Sequence, residues 1–377
     1  MKLRTFIKSL LASAALWAAA NTAMAITCDY QDGIRPANGN MPLQISAITV
    51  GRDVPLGAEV YRQKFSVASG KTPTFNCRYA PFQIWADYVV TSSRENANWP
   101  DAKYAGKVYK TNIQGLGVVF IVGVPGVPLP ARGPNVTPNC PSSYLPCPVR
   151  VNEVSDYELV LIKIGNVSPG LLQGSDLPRV SMYINANTAR MLGFSMGTSG
   201  AIQIVSRTCS TPNVVVPMGT HQTKTFTGIN SASGWQNFSI DLNNCPAFHG
   251  TYSTNGPSWT SQSGTSPSGV GTSGSRDNNS LMFRIDAARV AINAPKGVLS
   301  LDPSVAGSPP AASGVGIQIA TPNNAPVPFG RKQSSGLILR TSEGSYSIPL
   351  RARYLQTGRQ VTPGPANASA TFTISYQ

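Results

Sequence analysis

Apolar and polar residues alternate with a period of two along much of this chain, and no long stretch repeats at helical spacing. Short runs rich in Val, Ile, Leu, Phe and Tyr lie between clusters of Gly, Pro, Ser and Asn, which is the pattern of successive β-strands. In the first half the expected strands are Ile45–Val50, Val60–Val67, Phe82–Val90, Leu116–Val124, Tyr157–Ile164, Val180–Ile184 and Ala201–Val205. In the second half they are Asn213–Pro217, Gln236–Leu242, Leu281–Ile285, Gly316–Ile319, Leu337–Leu339 and Tyr346–Tyr354. The clearest alternation closes the chain. Ala366, Ala368, Ala370, Phe372, Ile374 and Tyr376 fall on one parity, and Asn367, Ser369, Thr371, Thr373 and Ser375 on the other. A strand with one apolar face and no polar tail after it offers a sheet edge for another chain to complete.

With 35 Gly and 31 Pro among 377 residues, the expected fold class is all-β, built of two β-sandwich domains. A break near Ser206 divides residues 26–205 from residues 206–377. The Ser/Thr/Gly-rich stretch between Tyr252 and Asn279 has little apolar area to bury and reads as a long flexible surface loop. The segment Pro125 to Pro148 is a second, Pro-rich loop.

The first residues read as an export leader. Lys2, Arg4 and Lys8 precede an apolar run, Leu10 to Ala20, that is short for a membrane span, and Ala23-Met24-Ala25 forms a cleavage site. Residues 1–25 are therefore set aside as a signal peptide, with Ile26 as the expected mature N-terminus. Formal charge is +14, and +11 once the three leader cations are removed. The basic residues are scattered; such a surface could favour anionic glycans or acidic cell surfaces, while solubility and charge balance are the plainer account. No motif points to nucleic acid.

All six cysteines, Cys28, Cys77, Cys140, Cys147, Cys209 and Cys245, lie beyond the leader. An even count in an exported protein points to disulfides, for which 15 pairings are possible in principle. Sequence order favours Cys28–Cys77, Cys140–Cys147 and Cys209–Cys245, because each pair stays within one proposed domain. A metal site is disfavoured: no CxxC pair exists, and only His221 and His249 could assist. No cofactor is implied.

Gly193-Phe-Ser195-Met-Gly197 matches the G-x-S-x-G elbow of hydrolases, with Asp241 and His249 following in a workable order. That elbow needs a helix after the serine. Thr198-Ser199-Gly200 and a β-like run follow instead, so a Gly-rich turn is the better account and no enzyme is expected.

The closing strand resembles the C-terminal motif of subunits secreted by the chaperone–usher pathway, with Gly364 fourteenth from the end and Tyr376 penultimate. Phe238-Ser-Ile-Asp-Leu-Asn-Asn-Cys245, Gly314-Val-Gly-Ile-Gln-Ile319 and Ile348-Pro-Leu-Arg-Ala-Arg-Tyr354 resemble further segments of pilin domains. The resemblance implies an immunoglobulin-like sandwich that lacks its last strand. It also implies three partners: a periplasmic chaperone that lends a strand, an outer-membrane usher, and an adjacent pilin subunit that replaces the chaperone strand. Gly364, Ala366, Ala368, Ala370, Phe372, Ile374 and Tyr376 would carry that exchange. A folded-looking segment, rather than a free extension, stands ahead of Cys209. Two-domain subunits of this kind are tip adhesins, so the expected location is the fimbrial tip at the cell surface; the alternative is a minor or shaft fimbrial subunit with a structural role and an unusual N-terminal region.

The first half resembles the receptor-binding domain of mannose-binding tip adhesins more narrowly. Cys28 is third in the mature numbering, and Cys77 is followed ten residues later by Asp87-Tyr88-Val89. Gly115-Leu-Gly-Val-Val119 matches a glycine-marked strand of such domains. The resemblance implies a host glycan as receptor and Asp87 as its contact. Tyr79 and Trp85 could cover an apolar ring face, Asn166 aligns loosely with a pocket amide, and the Ile26 amine could donate to hydroxyls. Arg78-Tyr79-Ala80 replaces the polar pair of the mannose binders, which leaves the sugar open.

Overall fold

A computed structural model describes residues 26–31, 33, 35–68, 71–78, 81–123, 126–140, 146–150, 156–262 and 268–377. The expected leader, residues 1–25, and Tyr79 lie outside the described residues. Among these residues every regular element is a strand, apart from short 3₁₀ turns at Gly174–Asp176 and Thr223–Thr225. Two main hydrophobic cores form, one from residues between Ala37 and Ile204, the other from residues between Cys209 and Tyr376.

The first core lies between two sheets. A five-stranded sheet runs in the order Ala131–Arg132, Ile84–Thr91, Arg179–Ala186, Ala189–Ser199, Ala37–Pro42. The facing sheet centres on Glu59–Val67, Tyr157–Lys163 and Leu116–Val122. Aromatic rings join the two. Tyr157 stacks on Phe65 at 5.3 Å and on Phe194 at 5.8 Å, and Phe194 in turn meets Tyr88 at 6.5 Å. Tyr157–Lys163 is covered on both faces: Leu159 and Leu161 enter the main core, while Val160 and Ile162 join a smaller cluster with Tyr104 and Val108. Such two-sided burial explains why this segment and Leu116–Val122 read as continuous apolar runs instead of clean alternations.

The second core lies between the sheet Gln236–Cys245, Gly344–Gln356, Val315–Ala320, Val298–Leu299 and the sheet Gln333–Ser334, Leu281–Ala287, Ala370–Tyr376. The last strand is an edge: Ala370–Tyr376 pairs along its whole length with Leu281–Ala287 and, among the described residues, has no strand on its other side. Disulfides join Cys28 to Cys77, Cys140 to Cys147 and Cys209 to Cys245.

Besides Val127–Pro128 and Ala131–Arg132, paired strands inside the stretch expected as a Pro-rich loop, four segments differ from the sequence expectation. First, the stretch expected as a flexible loop leaves the second core and adds strands to the first. Ser258–Ser261 pairs in parallel with Lys64–Val67, Gly269–Thr272 pairs with Ser258–Ser261, and Tyr252 stands opposite Tyr61. Tyr252 and Trp259 pack against the first core. Low apolar content did not prevent this, because an open strand edge is satisfied by backbone pairing and needs few side chains.

Second, residues 189–199 form a strand where a Gly-rich turn was expected. Gly193 and Gly197 serve close approach: a Cβ would lie 2.4 Å from Met182 Cε at the first and 2.5 Å from Asn40 Oδ1 at the second. Third, residues 337–339 are not a strand. Fourth, residues 213–217 are extended but unpaired.

The two halves also meet at the end of the chain. Asp53 N donates to Tyr376 O at 3.1 Å, and Tyr376 N donates to Asp53 Oδ2 at 2.9 Å. Lys163, 3 % exposed, turns its ammonium to the carbonyls of Gly51 and Arg52 at 3.2 and 2.5 Å. Burial pushes that ammonium's pKa below the ordinary lysine value.

Candidate functional site

The second sandwich is open along one side. Between residues 213–219 and residues 366–372 runs a groove of about 820 Å³, floored by Ile240, Ile285, Leu299, Ile317, Ile319 and Tyr354. One wall is the segment 213–219. Val214, Val216 and Met218 turn half-buried toward the core, while Asn213, Val215 and Pro217 are exposed. Among the described residues, no main-chain hydrogen bond ties residues 211–219 to another segment. This segment has the parity of a strand and lacks the neighbour that would make it one.

The other wall is the closing strand. Ala366, Ala368 and Phe372 are half-buried and Ala370 is exposed, whereas Ile374 and Tyr376 are buried. Gly364 passes so near Pro310 that a Cβ would lie 2.2 Å from its carbonyl oxygen. The Tyr376 phenol oxygen accepts a hydrogen bond from Cys209 N at 3.0 Å, which ties the strand to the Cys209–Cys245 bridge. Burial pushes that phenol's pKa above its ordinary value. An apolar trough with unpaired backbone on both walls is shaped for an extended peptide with alternate apolar side chains.

A second site lies on the outward face of the five-stranded sheet. Register sets Trp85 opposite Asn185 and Asn185 opposite Arg190; it sets Asp87 opposite both Tyr183 and Arg132. Residues opposite one another in a ladder share a face, so these six side chains form one patch. Their sequence neighbours Tyr88, Met182 and Ile184 fill the core. Asn185 Nδ2 donates to Asp87 Oδ2 at 2.9 Å. The Arg132 guanidinium lies 4.3 Å from the Trp85 ring centroid, and that of Arg190 lies 4.0 Å from Tyr183. Further along the face, the Ser181 and Ser195 hydroxyls are 2.9 Å apart, and Arg179 donates to Ser195 O at 3.0 Å and Asn40 Oδ1 at 3.2 Å.

Of the sugar-contacting residues expected from sequence, the structure brings together Trp85 and Asp87. Asn166 lies elsewhere, in a cavity of about 550 Å³ lined also by Arg52, Lys163 and Arg207 near the junction of the halves. Ile26 is half-buried against the first core. Arg132, Tyr183, Asn185 and Arg190 were missed. For Tyr183 and Asn185 the signal was present, since Ser181, Tyr183 and Asn185 form the polar parity of their strand.

The hydrolase constellation is not assembled. Ser195 sits mid-strand against Ser181. The Asp241 carboxylate accepts from Ser239 and Ser347, and His249 N donates to Thr49 Oγ1. Among the described residues no cluster of His, Cys, Asp and Glu could hold a metal.

The Fimbrial protein family model matches residues 198–377. Residues 198–377 are thus similar to a fimbrial-protein domain. This domain holds the open groove and the closing strand. Over 209 residues the chain is 27% identical to a type-1 fimbrial protein subunit of Serratia marcescens, covering 53% of this chain and 97% of the relative. It is 41% identical over 87 residues to the C chain of type-1 fimbrial protein of Escherichia coli, covering 23% of this chain and 45% of the relative; the match thus spans less than half that protein's length. Among solved structures, the CupB6 tip adhesin from Pseudomonas aeruginosa aligns over 93% of this chain and 94% of its own at 15% identity, with a TM-score of 0.31.

Proposed function

We propose that this chain is a fimbrial tip adhesin. In this reading the fimbrial domain joins the pilus by accepting a donor strand, and the first half binds a surface receptor, a host glycan. The observation that carries it is the groove: an apolar trough between the unpaired segment 213–219 and the free edge of Ala370–Tyr376. A peptide laid there would pair with the closing strand and cover Ile240, Ile285 and Ile317. A periplasmic chaperone would fill it first, and a neighbouring subunit's extension would fill it after assembly at the outer-membrane usher. The segment just ahead of Cys209 supports the terminal position. It is folded as the strand Ala201–Val205, with Ile202 and Ile204 in the first core, and so is not free to serve as a donor. The chain would pass through the periplasm to the fimbrial tip, and its work would be adhesion without catalysis.

The test uses the full chain beyond the leader, produced in the periplasm with and without a soluble peptide of alternating apolar residues. The expected result is aggregation without the peptide and a soluble monomer with it, the peptide amides becoming protected from hydrogen exchange. A stable monomer that needs no added strand or chaperone would end the proposal.

A further inference from the structure

Resting on the reading of the first half as a glycan receptor, we infer that the receptor is acidic: an oligosaccharide carrying sugar carboxylates, bound on the sheet face of Trp85, Asp87, Tyr183 and Asn185. The argument starts from the arginines. Elsewhere in the molecule Arg62, Arg94, Arg284 and Arg289 take carboxylate partners. On this face Arg132, Arg179 and Arg190 take none among the described residues. Arg179 is absorbed by neutral acceptors of the fold. Arg132 and Arg190 are held differently, each with its guanidinium carbon over an aromatic ring.

Stacking fixes a guanidinium's plane and leaves its N–H edge pointing away from the ring. Of the donors on Arg132, one goes to Asn135 Oδ1 at 3.2 Å. An ordered, planar, cationic fork matches a carboxylate in two parallel hydrogen bonds. A neutral hydroxyl uses neither the charge nor the second donor. The single carboxylate of the patch, Asp87, is engaged by Asn185, and the pair presents both an acceptor and an amide to ring hydroxyls. The Arg132 and Arg190 guanidinium groups lie over Trp85 and Tyr183, on the neighbouring strands that also carry Asp87 and Asn185, so a sugar lying over that pair has a cation close by on either strand. Asp87 between the cations disfavours a densely sulfated chain, whose charge would crowd it.

The experiment is a binding titration of the full chain, its groove filled by the donor peptide. The probes are oligosaccharides ending in sialic or uronic acid, the same compounds with the carboxylate reduced to the alcohol, and a sulfated glycan. The expected result is binding of the acids, with affinity lower by about tenfold or more for the reduced forms. Arg132→Gln and Arg190→Gln each lose that preference, binding the acid and its reduced form with equal affinity. Equal affinity for acid and reduced forms, both weakened by Asp87→Asn, would overturn the acidic receptor and leave glycan binding standing. Preference for the sulfated glycan would overturn the carboxylate assignment. Binding to none of them, with Trp85→Ala and Asp87→Asn silent in adhesion of piliated cells, would overturn the glycan reading beneath it.

Discussion

Replacing Trp259 by Ala should destabilise the first half of the molecule although Trp259 belongs, by sequence, to the second. The indole is half-buried against the first core, and its backbone stands opposite Phe65 in a parallel ladder. It is also covered from the far side. A Cβ at Gly269 would lie 2.6 Å from the indole, and one at Gly271 would lie 3.0 Å from it. The ring thus fills a slot between the first core and the backbone of Gly269–Thr272. Truncating a fully buried Trp costs about 3–5 kcal/mol; for this partly buried ring, about 2 kcal/mol is expected. For a unit of this size that lowers its melting temperature by about 4–8 °C. The assay is thermal and urea unfolding of the peptide-filled chain, followed by near-UV circular dichroism. Val270→Ala, at a side chain 60 % exposed, serves as the control and should shift stability by less than about 0.5 kcal/mol. If Trp259→Ala matched that control, the strands of residues 251–277 would not be part of the first core. If only the fimbrial-domain transition moved, the ladder to Glu59–Val67 would be wrong.

Three further outcomes are expected. Tyr376→Phe leaves the buried Cys209 N–H without its acceptor, which should lower the stability of the peptide-filled fimbrial domain by about 1–3 kcal/mol in urea; an unchanged midpoint refutes the role given to that phenol. Gly51→Ala sets a Cβ 2.2 Å from Tyr376 O, so the contact must open, and the Asp53 and Tyr376 amides should exchange faster by mass spectrometry while the Leu281–Ala287 ladder stays protected. The third concerns acid. Burial pushes the Glu59 carboxyl up, but hydrogen bonds from Lys103, Arg62 and Tyr104 outweigh it and bring the pKa from 4.5 down to about 2. A depressed carboxylate stabilises the fold fully above its unfolded value and loses that contribution as pH falls from about 4.5 through about 2. Glu59→Gln should therefore flatten the acid limb of the stability profile over that window; an identical limb would contradict it.

Much of the fold was legible because one-sided strands announce themselves. The alternation from Ala366 to Tyr376 marks the residues that wall the groove and enter the second core, and continuous apolar runs mark the doubly covered strands Leu116–Val122 and Tyr157–Lys163. The same three cysteine pairs follow from sequence order. What alternation cannot report is whether a strand has a neighbour. Residues 213–217 have strand parity but no ladder, while Ser258–Ser261 and Gly269–Thr272 have a ladder with little apolar signal. Gly193 and Gly197 misled for a related reason: glycine marks close approach as well as turns. On the polar sheet face, Trp85 and Asp87 share a strand and could be paired on parity alone. Arg132 and Arg190 reach them only through strand order, which a single chain of letters does not encode.

The excursion of residues 251–277 and the docking of Tyr376 on Asp53 change how this molecule would carry load. Two beads on a string would pass tension through residues 206–208 alone. Here a pull on the second half reaches the first along three routes at once: the covalent link, the parallel seam beside Lys64–Val67, and the clasp at Tyr376. A seam pulled along its strands must shear many hydrogen bonds together before it yields, so under flow the two halves should move as one stiff body.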